Sequence, residues 1–513
     1  MKKTGYFFEM TITSAGILFA SLVMVSSFVV MKSSLIGGVW YGFWLLFIWC
    51  ALEYAATANY KFSCCREIIT IMILCLLLHL FLIELLPSLG ANVEGLGWDY
   101  RRAFVSMLSG KICFVHNIRH TYWCNYEIVL STLSTIFKGS LELGQVVNAI
   151  SHVLVLIPVY IISCEIAGRR MARLTTLIIG FSPALILMSL LLTGEFLSSA
   201  LMFFAFYFSL KSIVPSTKSF SVTAAFLGGL SLGLSYLFKT ITIVFWASLV
   251  VVLVLRWSRW RMVVKISKLI IADGIFLFAY LATIVVGEAV LASLANNPNV
   301  GRSSGGQSDL PYELALGLNL ETDGTYNDKL AVDMRKKDTE QQIQQVRLMI
   351  ARDWKHYPML MVRKFTRIHG SHNTSVGGVT HVTGFFREKT RNGKGWRWFV
   401  PKWIAPLTDC GTMVFEVWFL LGALGLGFAL VRMGNNSLPG MFALVLVLGF
   451  AVIEQLIEGY GRYKIGIYPF YFMIIPYAGV TFGKIRALAM DAWGRVCQTH
   501  MVRSVTSWIN DER

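Results

Sequence analysis

Three ionisable residues stand where apolar segments meet polar loops, and their types suit transfer chemistry. Asp99 lies in Gly97-Trp98-Asp99-Tyr100-Arg101-Arg102, just after an apolar run. It is either a solvated loop carboxylate paired with Arg101 or Arg102, or a base that accepts a proton from an attacking hydroxyl. A sugar hydroxyl is a poor nucleophile at neutral pH and needs such a base. One base suits a single inverting displacement, and no acid is needed if the leaving group is already a phosphate. A phosphate leaving group calls for cations. Lys239 lies between two apolar segments, where a charge must find the interface or a partner. Arg462 follows Glu458 by four residues and precedes Tyr463 and Lys464. Snorkelling by Lys239 and a Glu458–Arg462 pair are the structural alternatives to phosphate contact. A carboxylate can also orient an arginine toward a phosphate, so the two readings of Arg462 are compatible. Glu195, in Thr193-Gly194-Glu195, joins the same set by position, although loop solvation accounts for it equally well. His116 and His120 have helical spacing but lack a third metal ligand. A divalent cation bridging Asp99 and a lipid phosphate is chemically sensible, with no motif specifying one.

The elements that position these residues are expected to be membrane helices. The chain has 513 residues, 55% hydrophobic and 15% charged, against about a quarter charged in ordinary soluble domains. A span needs roughly 20 apolar residues, and such runs fall near 9–30, 38–57, 68–88, 144–164, 173–191, 195–211, 221–238, 240–256, 266–292, 408–431, 438–455 and 465–482. The fold class is therefore an all-α polytopic membrane protein of about twelve transmembrane helices with an outer-face soluble insertion. Met1-Lys2-Lys3 before the first run reads as the start of an uncleaved helix. Lys61, Arg66, Arg169, Arg170, Arg173, Lys211, Lys218, Arg256, Arg259, Arg261 and Lys265 fall in alternate short loops. That bias places both termini in the cytoplasm and residues 89–143 and 293–407 outside. The organisation is then an N-terminal transmembrane module 1–292 with outer loop 89–143, an extracytoplasmic segment 293–407, transmembrane helices 408–482 and a cytoplasmic tail 483–513.

The net charge of +17 is consistent with anionic lipid and topology, and nucleic acid is not an expected partner. The nine cysteines form no repeating framework, although Cys113 and Cys124 share a loop and could pair. Tyr126 to Phe137 reads as a short helix at the membrane surface. Thr339 to Trp354 reads as a helix capped by Asp338, with Ile343, Val346, Ile350 and Trp354 on one face. Residues 387–397 read as a polar, basic stretch leading to interfacial Trp396, Trp398 and Trp403. The conspicuous ionisable groups gather near outer boundaries, with Asp273 and Glu288 as exceptions.

These features together resemble the integral-membrane glycosyltransferases of the GT-C fold, in particular the bacterial family 39-like group related to protein mannosyltransferases and lipid A aminoarabinose transferases. The resemblance rests on several motifs in order. Asp99 sits in the first large outer loop. Tyr122-Trp123-Cys124-Asn125-Tyr126-Glu127 leads into an apolar stretch. Gly168-Arg169-Arg170 and Phe181-Ser182-Pro183 follow, then the outer carboxylate Glu195. The glycine-spaced segment Gly229 to Phe238 ends in Lys239. Gly317-Leu318-Asn319 precedes Gly324-Thr325-Tyr326-Asn327-Asp328, and Glu458 with Arg462-Tyr463 precedes Pro469. Cys124 stands where relatives often have proline, and Thr240-Ile241 replaces their usual Pro-Thr. The resemblance implies transfer of a sugar from a polyprenyl-phosphate donor to a cell-envelope glycan or glycolipid acceptor at the outer face of the cytoplasmic membrane. It implies Asp99 as base, Lys239 and Arg462 as donor-phosphate ligands, and Glu195, Glu458, Tyr122, Asn125, Asn319 and Tyr463 in support. A membrane polysaccharide polymerase or ligase would use a similar donor but lack the early aspartate loop. A lipid-linked glycan flippase predicts inverted repeats and mid-span polar residues.

Overall fold

The computed structural model describes residues 10–22, 64–88, 121–137, 141–190, 193–212, 221–239, 242–259, 266–294, 310–325, 327–369, 387–389, 396–398, 405–431, 437–457 and 468–481. Almost all of these are helical. In chain order the helices are α1 (Met10–Leu22), α2 (Cys64–Ser88), α3 (Thr121–Phe137), α4 (Leu141–Gly180), α5 (Pro183–Ser189), α6 (Glu195–Ser212), α7 (Val222–Phe238), α8 (Thr242–Arg259) and α9 (Ile266–Leu294). Then come α10 (Leu310–Gly317), α11 (Asp328–Arg335), α12 (Thr339–Asp353), α13 (Tyr357–His369), α14 (Ala405–Val431), α15 (Leu438–Leu456) and α16 (Tyr468–Phe472).

Among the described residues, four segments are long and apolar enough to cross a membrane: Cys64–Leu85, Glu142–Gly180, Ile270–Leu294 and Leu438–Leu456. Met10–Leu22, Val222–Phe238, Thr242–Val254 and Glu416–Leu430 are apolar but shorter. The outward faces of α2 and α9 carry Ile73, Leu77 and Phe81, and Phe278, Val285 and Val286, all exposed. Continuous apolar surface of this kind suits hydrocarbon, not water.

Twelve continuous spans are not what the described residues contain. The span expected at 38–57 lies outside them. The chain within α4 reverses at Gly168 (φ +81), and Leu156 on one arm packs against Gly180 on the other. Glu67 at the start of α2 grips this reversal, accepting from Arg173 Nε at 2.6 Å and from Arg169 Nε at 2.7 Å. Two of the basic residues assigned to an inner loop thus form a clamp on a buried carboxylate. The span expected at 173–191 is interrupted at Phe181-Ser182, before Pro183 opens α5. Within the span expected at 465–482, the described residues form α16 and then the 3-10 turn Ile475–Tyr477, because Pro476 lacks the backbone donor that would continue the helix. This broken segment is nonetheless deeply buried, with Phe470, Tyr471, Phe472, Ile474 and Tyr477 in the core. Phe470 meets Phe203 and Phe206 of α6, and Phe442 of α15 meets Phe206 and Phe245 of α8.

Helices α7 and α9 cross at the small residues of the glycine-spaced segment. A Cβ on Gly229 would stand 2.1 Å from the carbonyl oxygen of Phe276, so backbone meets backbone there. Gly274 on α9 faces open space. Gly229→Leu is therefore expected to destabilise the fold by at least about 3 kcal/mol, and Gly274→Leu to be nearly neutral. Monodisperse yield on gel filtration and thermal midpoint in detergent would show it; equal behaviour of the two variants would refute this packing.

Helices α10 to α13 form a separate small core of Tyr312, Leu316, Met334, Val346 and Met349. Asp338 caps α12 as expected, closing a full capping box with Gln341. The buried face of α12 is Gln342, Val346 and Met349, whereas Ile343, Ile350 and Trp354 are exposed. The expected face is therefore corrected by a rotation of roughly one residue position. Residues 387–389 and 396–398, at the two ends of the polar, basic stretch, pair as a two-stranded antiparallel ladder.

Candidate functional site

The site is assembled at the ends of α6 and α7. Glu195 is the first residue of α6 and Lys239 directly follows the last residue of α7. A carboxylate at a helix N-terminus and an ammonium at a C-terminus each sit where the helix dipole favours them. Lys239 Nζ donates to Glu195 Oε1 at 2.8 Å, with both residues buried. One turn further along both helices, the hydroxyls of Ser198 and Ser235 lie 2.9 Å apart. Each is also within 3.1 Å of the other residue's carbonyl oxygen. Ser198 is three residues after Glu195 and Ser235 four before Lys239, so helical spacing brings both pairs to one seam.

Helix α3 closes over this seam. Asn125 Nδ2 donates to the Leu237 carbonyl at 2.6 Å. That carbonyl belongs to the last turn of α7, which has no intrahelical partner for it. Tyr126 packs across Gly194, where a Cβ would come within 3.2 Å of it, and against Phe238. Its hydroxyl donates to Asn148 Oδ1 at 2.9 Å. Burial pushes the Tyr126 phenol well above its usual pKa, so it stays protonated as that donor. Gln145 Nε2 reaches the Leu190 carbonyl at 3.1 Å, tying α4 to the end of α5.

Among the described residues of this site, Asn125 Oδ1 and Glu195 Oε2 are buried acceptor oxygens without a hydrogen-bond partner. Beside a buried ammonium, they are suited to hydroxyl groups of a ligand whose anionic part meets Lys239.

Three residues expected from the sequence, Asn125, Glu195 and Lys239, are thus joined through the end of α7. Loop solvation of Glu195 and snorkelling of Lys239 are both replaced by a buried pair. The backbone of Tyr122 lies on α3 one turn before Tyr126. Asn319 is held in a turn of its own, with Oδ1 accepting from the Glu321 N–H at 3.1 Å and its carbonyl from the Gly324 N–H at 2.8 Å. Asp99, His116, His120, Glu458, Arg462 and Tyr463 lie outside the described residues, as does the Cys113 of the Cys113–Cys124 pair. Tyr126, Asn148, Ser198 and Ser235 were not among the expected site residues. Gln145 and Asn148 carried a signal, being polar residues spaced to share one face of an apolar span.

No protein-family model matches the chain. No curated protein sequence matches it either. Among solved structures, the apo oligosaccharyltransferase of Archaeoglobus fulgidus aligns with a TM-score of 0.40 at 12% sequence identity. The alignment covers 80% of this chain and 50% of that one, so the chain spans half the length of that structure.

Proposed function

We propose that the protein is a GT-C-type glycosyltransferase that moves a sugar from a polyprenyl-phosphate carrier to a cell-envelope glycan or glycolipid at the outer face of the cytoplasmic membrane. The observation that carries this reading is the buried Lys239–Glu195 pair, closed over by α3, with two buried acceptor oxygens, Asn125 Oδ1 and Glu195 Oε2, left without a hydrogen-bond partner. A phosphate-linked sugar has the matching groups: an anion for the ammonium and hydroxyls for the acceptors.

In this reading Asp99 takes the proton from the acceptor hydroxyl. The freed oxygen attacks the anomeric carbon, the bond from that carbon to the phosphate oxygen breaks, and the polyprenyl phosphate leaves as an anion. Lys239 and Arg462 stabilise the charge that develops on it. Glu195 holds Lys239 in place and offers its second oxygen to the sugar, together with Asn125. Glu458, Tyr122, Tyr463 and Asn319 complete the surroundings of donor and acceptor.

The test is sugar transfer by purified protein in lipid, with a panel of radiolabelled polyprenyl-phosphate sugars and envelope acceptor. Asp99→Asn should lower transfer by about 10²–10⁴-fold with donor binding retained. An Asp99→Asn protein with full activity removes the base assignment. Joining of whole lipid-linked oligosaccharides, with no monosaccharide donor used, would move the protein to the polymerase or ligase class.

A further inference from the structure

We infer that Cys75, His79 and His152 form a binding site for a soft closed-shell metal ion, and that Cu(I) is the ion they favour. The three residues come from two helices and are all buried: Cys75 and His79 one turn apart on α2, His152 on the first arm of α4. One donor atom from each lies within 4.8 Å of the others. They sit among the apolar side chains of the main core, which includes Leu156, Ile179 and Phe196.

The hydrogen bonds set the tautomers. His79 Nδ1 is 2.8 Å from the Cys75 carbonyl oxygen. A carbonyl only accepts, so Nδ1 carries the proton and Nε2 keeps a lone pair. A ligating histidine is commonly oriented in this way, by a carbonyl on its other nitrogen. His79 Nε2 faces His152 Nδ1 at 3.1 Å. Cys75 Sγ lies 2.9 Å from the Gly180 carbonyl, at the end of the second arm of α4. Metal–ligand bonds of roughly 2.0–2.3 Å require donor spacings of roughly 3.4–3.8 Å. The imidazole nitrogens, 3.1 Å apart, must therefore open slightly, and the sulfur, 3.7 Å from His79 Nδ1, must turn toward Nε2. On binding, the thiol proton is released and the His152 proton moves from Nδ1 to Nε2.

Charge and coordination number choose the ion. A thiolate and two neutral imidazoles sum to zero around Cu(I) and to +1 around Zn(II). Net charge in an apolar, membrane-embedded core is costly. Structural zinc sites are also almost always four-coordinate. Here three soft or borderline side-chain donors converge, a set suited to Cu(I). The ion would bind α2 to α4, one turn below the Asn148 that holds Tyr126.

The test uses full-length protein in nanodiscs under anaerobic conditions, titrated with Cu(I) against bicinchoninate. One Cu(I) per chain is expected, with X-ray absorption showing one sulfur and two nitrogens. Cys75→Ser and His152→Gln should weaken binding about a hundredfold or more, whereas the exposed Cys65→Ser should not. The thermal midpoint should rise with Cu(I) in wild type and not in His152→Gln. No retained copper in wild type, or sulfur-free coordination, overturns the site without needing either variant to fold. Zn(II) held in preference to Cu(I) by these residues overturns the choice of ion. None of these readouts depends on sugar transfer.

Discussion

Lys239→Met is expected to lower stability by about 3–5 kcal/mol and to abolish sugar transfer. The first effect follows from what remains. Glu195 would be left as a buried carboxylate whose Oε1 has lost its ammonium, while Oε2 already lacks a partner. Glu195→Gln should also destabilise, because the buried ammonium loses the charge of its Glu195 partner. The double variant Lys239→Met, Glu195→Gln removes both charges and should recover much of the loss, because an ion pair replaced as a unit is far less costly than one broken. Stability and activity then separate. If the pair serves only to join α6 to α7, the double variant regains transfer along with its thermal midpoint. If Lys239 holds the donor phosphate, the midpoint returns and transfer does not. Thermal unfolding in detergent beside donor-dependent transfer reads both, and a recovered activity would withdraw Lys239 from the donor site.

Lys364→Met should have the second large effect, on the order of 3–6 kcal/mol. Lys364 is fully buried, and its Nζ donates to three carbonyls: Gly317 at 3.0 Å, Gln455 at 2.8 Å and Ile457 at 2.6 Å. Two of these lie at the C-terminal end of α15, where carbonyls lack intrahelical partners and the helix dipole is negative. Methionine matches the lysine stem and supplies no donor, so three acceptors lose this partner. Gly324 fits against the same stem. A Cβ there would lie 2.6 Å from Lys364 Cδ, and its φ of +72° favours glycine in any case. Hydrogen exchange in the last turn of α15 should rise markedly in Lys364→Met. Unchanged exchange and midpoint would show that the three contacts contribute nothing.

What could be read from the sequence was what local spacing determines. Asp338 was legible as a cap because its partner Gln341 is three residues away. Lys239 was legible as a break between α7 and α8, because a lone charge interrupts a run too apolar for loop. Its partner was not, since Glu195 and Lys239 meet only when α6 and α7 pack side by side. The face of α12 was misread because its outward positions also carry Ile343, Ile350 and Trp354, and periodicity alone cannot say which stripe finds a partner. The interruptions near residues 181 and 475 had their signals in Pro183 and Pro476, but long apolar runs outweighed them. Cys75 and His79 are four residues apart on an apolar helix, a pattern visible in advance. The contribution of His152 appears only once the first arm of α4 packs against α2. Gly317 and Gly324 were legible as a motif, and the structure gives them a packing role. Gly317 abuts the Leu456 carbonyl, where a Cβ would come within 2.2 Å.

The anchoring of Lys364 also orders events during synthesis. The ribosome makes the lysine long before it makes the carbonyls of Gln455 and Ile457, with α14 and all of α15 still to come. Until α15 is in place, the nascent α10–α13 unit holds an ammonium in an unfinished socket. The contacts that fix this unit against α15 therefore cannot be completed until that C-terminal helix has been made.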